Sequence, residues 1–353
     1  METYSQAKPE DSAEVAIVGA GPIGLELAVG LKRAGISYVQ FDGRQIGHTI
    51  SWFAPETRFF SSNERIAIAG VPLNTPDQTK CTREQYLAYL RGIVQLFNLK
   101  VKTYESVIGI ERQEGGGFHV TTEGSSWRRQ GYRVNKIVLA TGGTAKPRRL
   151  NVPGEDLSHV SHYFKDPHTY FRKWVLIVGG RNSAVEALLR CHHAGAHVML
   201  SYRRDKLDAA SIKYWLMPEI TGLIESKKVR AWFNTVPTEI TPSHVTLEHV
   251  DGGRPQEVAA DFVLLLVGYE ADMALAKMAG VQLIGPQQVP VFNEKTMETN
   301  VPGVYVAGTV VGGTQEKYRV FIENCHVHVD RIVAALTGEQ APPEPVAFAR
   351  PES

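Results

Sequence analysis

The chain is poor in cysteine and in net charge, and it has no long apolar run. Each shortage removes a class of function. Its three cysteines, Cys81, Cys191 and Cys325, are scattered through 353 residues. They form no C-x-x-C pair and no disulfide framework, so a redox motif of two neighbouring thiols is excluded. The formal net charge is +1, which provides no electrostatic footprint for nucleic acid and no polybasic membrane patch. No apolar stretch reaches the length of a membrane span, and the polar N-terminus does not read as a signal peptide. A cytoplasmic protein with neither membrane nor nucleic-acid partners is expected. No metal is expected either. The block His159–Tyr170, HVSHYFKDPHTY, is rich in histidine and aromatics, but no carboxylate or cysteine spacing supports a metal site.

What is present begins at Val15. The run Val15–Val18 reads as a buried parallel strand, and Gly19-Ala20-Gly21-Pro22-Ile23-Gly24 follows as a complete G-x-G-x-x-G. A helical pattern with Leu25, Ala28 and Leu31 on one face stops near Gly35. A second strand, Tyr38–Phe41, ends at Asp42. Gly19 permits a tight turn, Gly21 lets the backbone approach a pyrophosphate, and Gly24 lets helix and strand pack closely. The helix N-terminus stabilises phosphates, and Asp42 accepts hydrogen bonds from a ribose. The order of strand, loop, helix and acid makes this a dinucleotide site.

The same plan recurs. The apolar run Val175–Val178 precedes Gly179-Gly180-Arg181-Asn182-Ser183-Ala184, a helix through Ala194 and a strand His197–Leu200. Here Arg181 replaces the middle glycine, and the strand ends in Ser201-Tyr202-Arg203-Arg204. Arginine in place of the acid suits a 2′-phosphate, so this site is expected to prefer NADPH to NADH. Each unit continues into short alternating strands and a closing strand, KIVLATGG at Lys136–Gly143 and DFVLLLVGY at Asp261–Tyr269. An internal repeat of this length is firmer evidence than either motif alone.

Between these landmarks, Gly43–Leu73 is long for a loop and is expected to be functional or wrapped over a ligand. Thr82–Leu96 reads as a helix opened by a capping box, and Ser211–Glu225 as a helix bent or ended at Pro218. Val304–Ala307 reads as a strand leading to Gly308-Thr309, with a helix over 315–336, Gln315 to Leu336. The predicted fold is α/β: two Rossmann-like dinucleotide-binding domains, each a parallel sheet with a small antiparallel meander, the second inserted in the first. The first takes 14–160 plus 285–337 and the second 161–284. Residues 1–13 and 338–353 are expected to be disordered tails.

With these pieces the chain resembles the two-dinucleotide-domain flavoprotein reductases of the low-molecular-weight thioredoxin reductase type, and among them the bacillithiol-disulfide reductase-like family. The resemblance runs from about Val15 to Gly338. Its more particular motifs are Asn151–Asp156, Val160–Phe164, Asn182–Val185, Met297–Asn300 and Phe321–Asn324. It implies FAD on Gly19, Gly21, Pro22, Ile23, Gly24 and Asp42, with Thr141, Gly142, Gly308 and Thr309 closing the flavin end. It implies NADPH on Gly179, Gly180, Arg181, Asn182, Ser183, Ala184, Arg203 and Arg204. The implied activity is hydride transfer from NADPH to FAD and then to an acceptor, a low-molecular-weight disulfide by resemblance, in a homo-oligomer.

Two positions depart from that pattern. Thr309 stands where such flavoproteins usually have Asp. Ile23 stands where members of the family often carry a cysteine, and isoleucine cannot attack a disulfide. No catalytic residue is therefore assigned, and other acceptors stay open: a quinone or a small redox protein. A flavin monooxygenase-like enzyme ranks lower, because Phe164–Trp174 lacks the F-x-G-x-x-x-H pattern. A nucleotide-binding redox sensor without turnover is a further alternative. Cys325 is expected about three turns into the C-terminal helix, as a core residue. His326 and His328 point to different faces, with His326 paired to Asp330 or either one serving proton transfer.

Overall fold

The computed structural model describes residues 11–316 and 319–343. The chain before Asp11 and after Pro343, part of the expected tails, lies outside them. The described chain forms two compact units. One contains the chain up to Ser51, Ser61–Lys146 and the chain from Glu270 onward; the other contains Trp52–Phe60 and Pro147–Tyr269.

The first unit is organised on one sheet. Strand β1 (Asp11–Val18) starts four residues before the apolar run and includes part of the expected tail. Helix α1 (Pro22–Arg33) and strand β2 (Tyr38–Asp42) complete the opening motif. Helix α2 (Arg83–Leu96) has the predicted capping box: the Thr82 hydroxyl accepts from Gln85 N–H, and the Gln85 side chain accepts from Thr82 N–H. Strands β3 (Val101–Thr103), β4 (Glu105–Arg112), β5 (Phe118–Gly124) and β6 (Arg129–Leu139) follow. The order is β3-β2-β1-β6-β5-β4. Strand β6 is longer than KIVLATGG suggests. Its first half pairs antiparallel with β5 and its second half parallel with β1, so meander and nucleotide sheet are one continuous surface. Val15, Ala16 and Ile17 on β1 and Ile137 and Val138 on β6 are wholly buried, which is why these strands read as unbroken apolar runs.

The second unit repeats the plan on a five-stranded parallel sheet. Its strands are β7 (Val160–Ser161), β8 (Trp174–Val178), β9 (His197–Tyr202), β10 (Arg230–Phe233) and β11 (Phe262–Leu265), in the order β10-β9-β8-β11-β7. Helix α3 (Asn182–His193) follows β8. The meander is a separate three-stranded antiparallel sheet, Thr235–Ile240, His244–His249 and Gln256–Ala259. Leu176, Val178 and Val263 on one face of the parallel sheet share a core with Val245, Leu247 and Val258 of the meander. Helix α4 (Met217–Glu225) corrects the expectation over 211–225. Pro218 lies in its first turn, where proline costs no hydrogen bond, so it starts the helix instead of bending it.

The segment Gly43–Leu73 is not one open loop. It holds two short helices, His48–Ser51 and Asn63–Ile66. Trp52–Phe60 between them belongs to the second unit, where Arg190 of α3 donates to the Pro55 carbonyl and, at 3.0 Å, to the Thr57 hydroxyl.

The chain returns to the first unit and adds β12 (Val304–Val306), parallel to β6, then α5 (His326–Thr337). The helix expected over 315–336 starts eleven residues later than predicted. Side-chain amides replace the helical bonds before it. Gln315 Oε1 accepts from Arg319 and Val320 N–H, and Asn324 Oδ1 accepts from Phe321 N–H. These local bonds give the backbone an alternative to helix.

Candidate functional site

The first glycine loop is built by backbone contact. Gly19 has a φ of +113°, and a Cβ there would lie 2.3 Å from the Ala140 carbonyl oxygen. A Cβ at Gly24 would lie 2.2 Å from the Gly19 carbonyl oxygen. Loop, helix and closing strand therefore touch through main chain. Gly21 differs, since a Cβ there would meet nothing within 4 Å. It is the N-cap of α1, where amides unused by the helix favour an anion. Asp42 ends β2, and its two carboxylate oxygens accept from Ala20 N–H and Arg44 N–H, both at 2.8 Å. Each oxygen keeps a lone pair for a ribose hydroxyl. Gln40 escaped the sequence reading. It is wholly buried and donates to the Gly19 carbonyl at 2.9 Å. Its signal was an amide at an inward position of an otherwise apolar strand.

At the other end of this site Thr309 lies near Gly142, and Gly308 lies near Ile23. The Thr309 hydroxyl accepts from Gly143 N–H at 2.8 Å, and a Cβ on Gly142 would lie 3.9 Å from the same oxygen. Thr141, next to Gly142, is half-buried. Gly308 has a φ of +79°, and a Cβ there would meet Ile23 Cβ at 3.4 Å. Ile23 follows Pro22 in the first turn of α1 and is itself 5% exposed. An open anion site, a ribose acceptor and a tight apolar far end together fit FAD.

The second loop keeps the architecture with different side chains. A Cβ at Gly179 would lie 2.4 Å from the Leu266 carbonyl oxygen and 3.1 Å from Ala184 Cβ, so Ala184 takes the packing place of Gly24. Gly180 lies against the Tyr202 ring, where a Cβ would approach within 2.4 Å. Arg181 is the N-cap of α3 in extended conformation, the place held by Gly21 in the first loop. Asn182 is engaged in structure, accepting from Lys213 N–H at 2.7 Å, whereas Ser183 is exposed. Arg203 and Arg204, just past β9, are exposed and make no ion pair with described residues. Two uncommitted guanidinium groups at this strand end fit a 2′-phosphate.

Thiol chemistry has no candidate here. Cys81, Cys191 and Cys325 are all buried. Burial pushes the Cys191 thiol up to about 12, and burial together with the Glu26 charge pushes Cys325 up as well. Cys325 is not three turns into a helix; it is the N-cap residue of α5. The histidines beside it do diverge. His326 does not take Asp330 as its hydrogen-bond partner: Nδ1 lies 2.7 Å from Glu26 Oε2 and Nε2 lies 2.9 Å from the Arg65 carbonyl. His328 faces Gly308. Among the described residues no group of three or more His, Cys, Asp or Glu could hold a metal, and no helix is long and apolar enough to cross a membrane.

Two glycine loops, one ending in an acid and one in arginines, point to a protein of two nucleotides. The family profile described as pyridine nucleotide-disulphide oxidoreductase matches residues 16–308. The chain belongs to this family. It is an FAD-dependent NADPH oxidoreductase. It is 34% identical over 322 residues to the bacilliredoxin reductase Bdr of Bacillus subtilis, covering 91% of this chain and 96% of that one. The solved bacillithiol disulfide reductase Bdr (YpdA) from Bacillus cereus superposes with a TM-score of 0.88 at 33% identity, over 93% of this chain and 99% of that one. A ferredoxin–NADP reductase of Ignicoccus hospitalis is 26% identical over 304 residues, 83% of this chain and 88% of that one.

Proposed function

We propose that this flavoprotein passes the electrons of NADPH to a low-molecular-weight disulfide, and does so without a thiol of its own. The overall change is NADPH + H+ + RSSR → NADP+ + 2 RSH: two electrons leave the nicotinamide, the S–S bond breaks, and each sulfur ends as a thiol. The flavin supplies two-electron storage between donor and acceptor. The first unit holds it, through Gly19, Gly21, Pro22, Ile23, Gly24 and Asp42 at the nucleotide and Thr141, Gly142, Gly308 and Thr309 at the far end. The second unit holds NADPH through Gly179, Gly180, Arg181, Asn182, Ser183, Ala184, Arg203 and Arg204. The contact of Ile23 with Gly308 carries the thiol-free part of this reading, because a hydrocarbon occupies the position expected to abut the flavin while every cysteine is buried. The disulfide acceptor is supported by the 34% identity to a bacilliredoxin reductase over nearly its whole length. The protein is expected to work in the cytoplasm as a homo-oligomer, which sedimentation of the holoenzyme would test.

A second reading, with a quinone or a small redox protein as acceptor, is favoured by the same isoleucine, because such acceptors need no protein thiol. Steady-state oxidation of NADPH by the holoenzyme separates the two. Bacillithiol disulfide, glutathione disulfide, a quinone and a ferredoxin are offered in turn, and thiols are counted. Two thiols released per NADPH with a disulfide is the expected result. Turnover with the quinone or ferredoxin alone would overturn the disulfide reading.

A further inference from the structure

His328 lies in the first turn of α5 and is buried. Its Nδ1 accepts a hydrogen bond from Gly308 N–H at 3.2 Å, joining residues twenty apart in sequence. Gly308 opens the 3-10 turn Gly308–Gly312, rests on Ile23 and precedes Thr309, whose hydroxyl holds Gly143 N–H. One imidazole therefore anchors the point at which the glycine loop, the end of β6 and the end of β12 converge. An amide can only donate, so Nδ1 must be the acceptor and the single proton must sit on Nε2. Burial first, then the charges of Arg331 and His326, push the His328 pKa down to about 4, which keeps this neutral tautomer in place at neutral pH. The backbone at Gly308 has a φ of +79°, and no other hydrogen bond to Gly308 N–H is present among the described residues.

We infer that His328 is a positioning residue for the flavin: by holding Gly308 N–H through Nδ1, it sets the Gly308–Thr309 turn in the shape that receives FAD. It does not itself exchange protons with the substrate. The inference rests on the assignment of FAD to the first unit.

The test is the dissociation constant of FAD, read from the fluorescence of flavin released on dilution of the holoenzyme. In His328→Asn the amide oxygen stands where Nδ1 stood, so an acceptor for Gly308 N–H is kept. In His328→Gln the polar atoms reach the place of Nε2, and in His328→Leu there is no acceptor. FAD should dissociate about tenfold more readily from His328→Leu and His328→Gln, the loss of one buried hydrogen bond, and about as in the parent from His328→Asn. If His328→Leu fails to fold, the Asn and Gln pair makes the same comparison. Equal weakening in Asn and Gln, or none in any variant, would overturn the inference. Asp42→Asn serves as reference: weaker FAD there with no effect at His328 leaves the FAD assignment standing and this inference refuted.

Discussion

The Thr309 hydroxyl oxygen lies 2.8 Å from the Gly143 amide nitrogen, across 166 residues of sequence. This bond joins the segment after β6 to the segment after β12. The Thr309 side chain thus serves the backbone beside the first glycine loop.

Thr309→Val keeps the shape and removes the acceptor. It leaves a buried N–H unpaired, at a cost of about 1–3 kcal/mol. The variant should release FAD more easily and melt earlier, whereas Thr309→Ser should match the parent. Fluorescence of free flavin during a thermal ramp checks both, and an unchanged Val variant would show the bond to be idle.

Arg203 and Arg204 are exposed and unpaired with described residues. Arg203→Ala should raise KM for NADPH roughly tenfold or more, the loss of a charge-assisted contact, and leave KM for NADH nearly unchanged. Steady-state kinetics with both nucleotides decides it. Equal effects would remove the 2′-phosphate assignment.

All three thiols are buried, and burial pushes Cys191 and Cys325 up, which keeps those two protonated at neutral pH. Incubation with iodoacetamide, with and without NADPH, should leave activity intact and add no mass to the folded protein. Inactivation that requires NADPH would mean that a cysteine joins the catalytic cycle.

His326 and His328 should act oppositely on stability as pH changes. At His326 burial opposes the charge, but the Glu26 hydrogen bond and charge, with the Arg65 carbonyl, outweigh it and raise the pKa above 6.5. Its contribution is complete below 6.5 and is lost as pH rises through the folded-state value. His328 is lowered from 6.5 to about 4, so between these values the unfolded chain binds the extra proton and stability falls as the solution is acidified. Thermal melts across pH should show both limbs. His328→Asn should flatten the acid limb and His326→Gln the alkaline one; a profile unchanged by either substitution would refute the assignment.

The two glycine loops of the candidate site were legible in the sequence. A glycine loop is a local device: strand, tight turn and helix N-terminus lie within a few residues of one another, so Gly19–Gly24 and Gly179–Ala184 could be read as a repeat. The residue at or just past the end of the following strand, Asp42 or Arg203, could be read as the mark that tells the two apart. Element boundaries were legible only where the determinant was equally local, as in the Thr82–Gln85 capping box. The start of α5 was not, because Gln315 and Asn324 turn their amides onto nearby backbone and a sequence pattern does not reveal which bonds win.

The chain's sequence by itself determined that there are two glycine loops of dinucleotide type, and that a hydrocarbon, Ile23, stands where a thiol was the alternative. Only the tertiary structure decided what surrounds that hydrocarbon. Ile23 meets Gly308, Gly308 is held by His328, and His326 bonds to Glu26 300 residues away. Those contacts depend on β12 returning to pair with β6 and on α5 packing against α1. They are long-range consequences of burying one sheet, and no spacing along the chain encodes them.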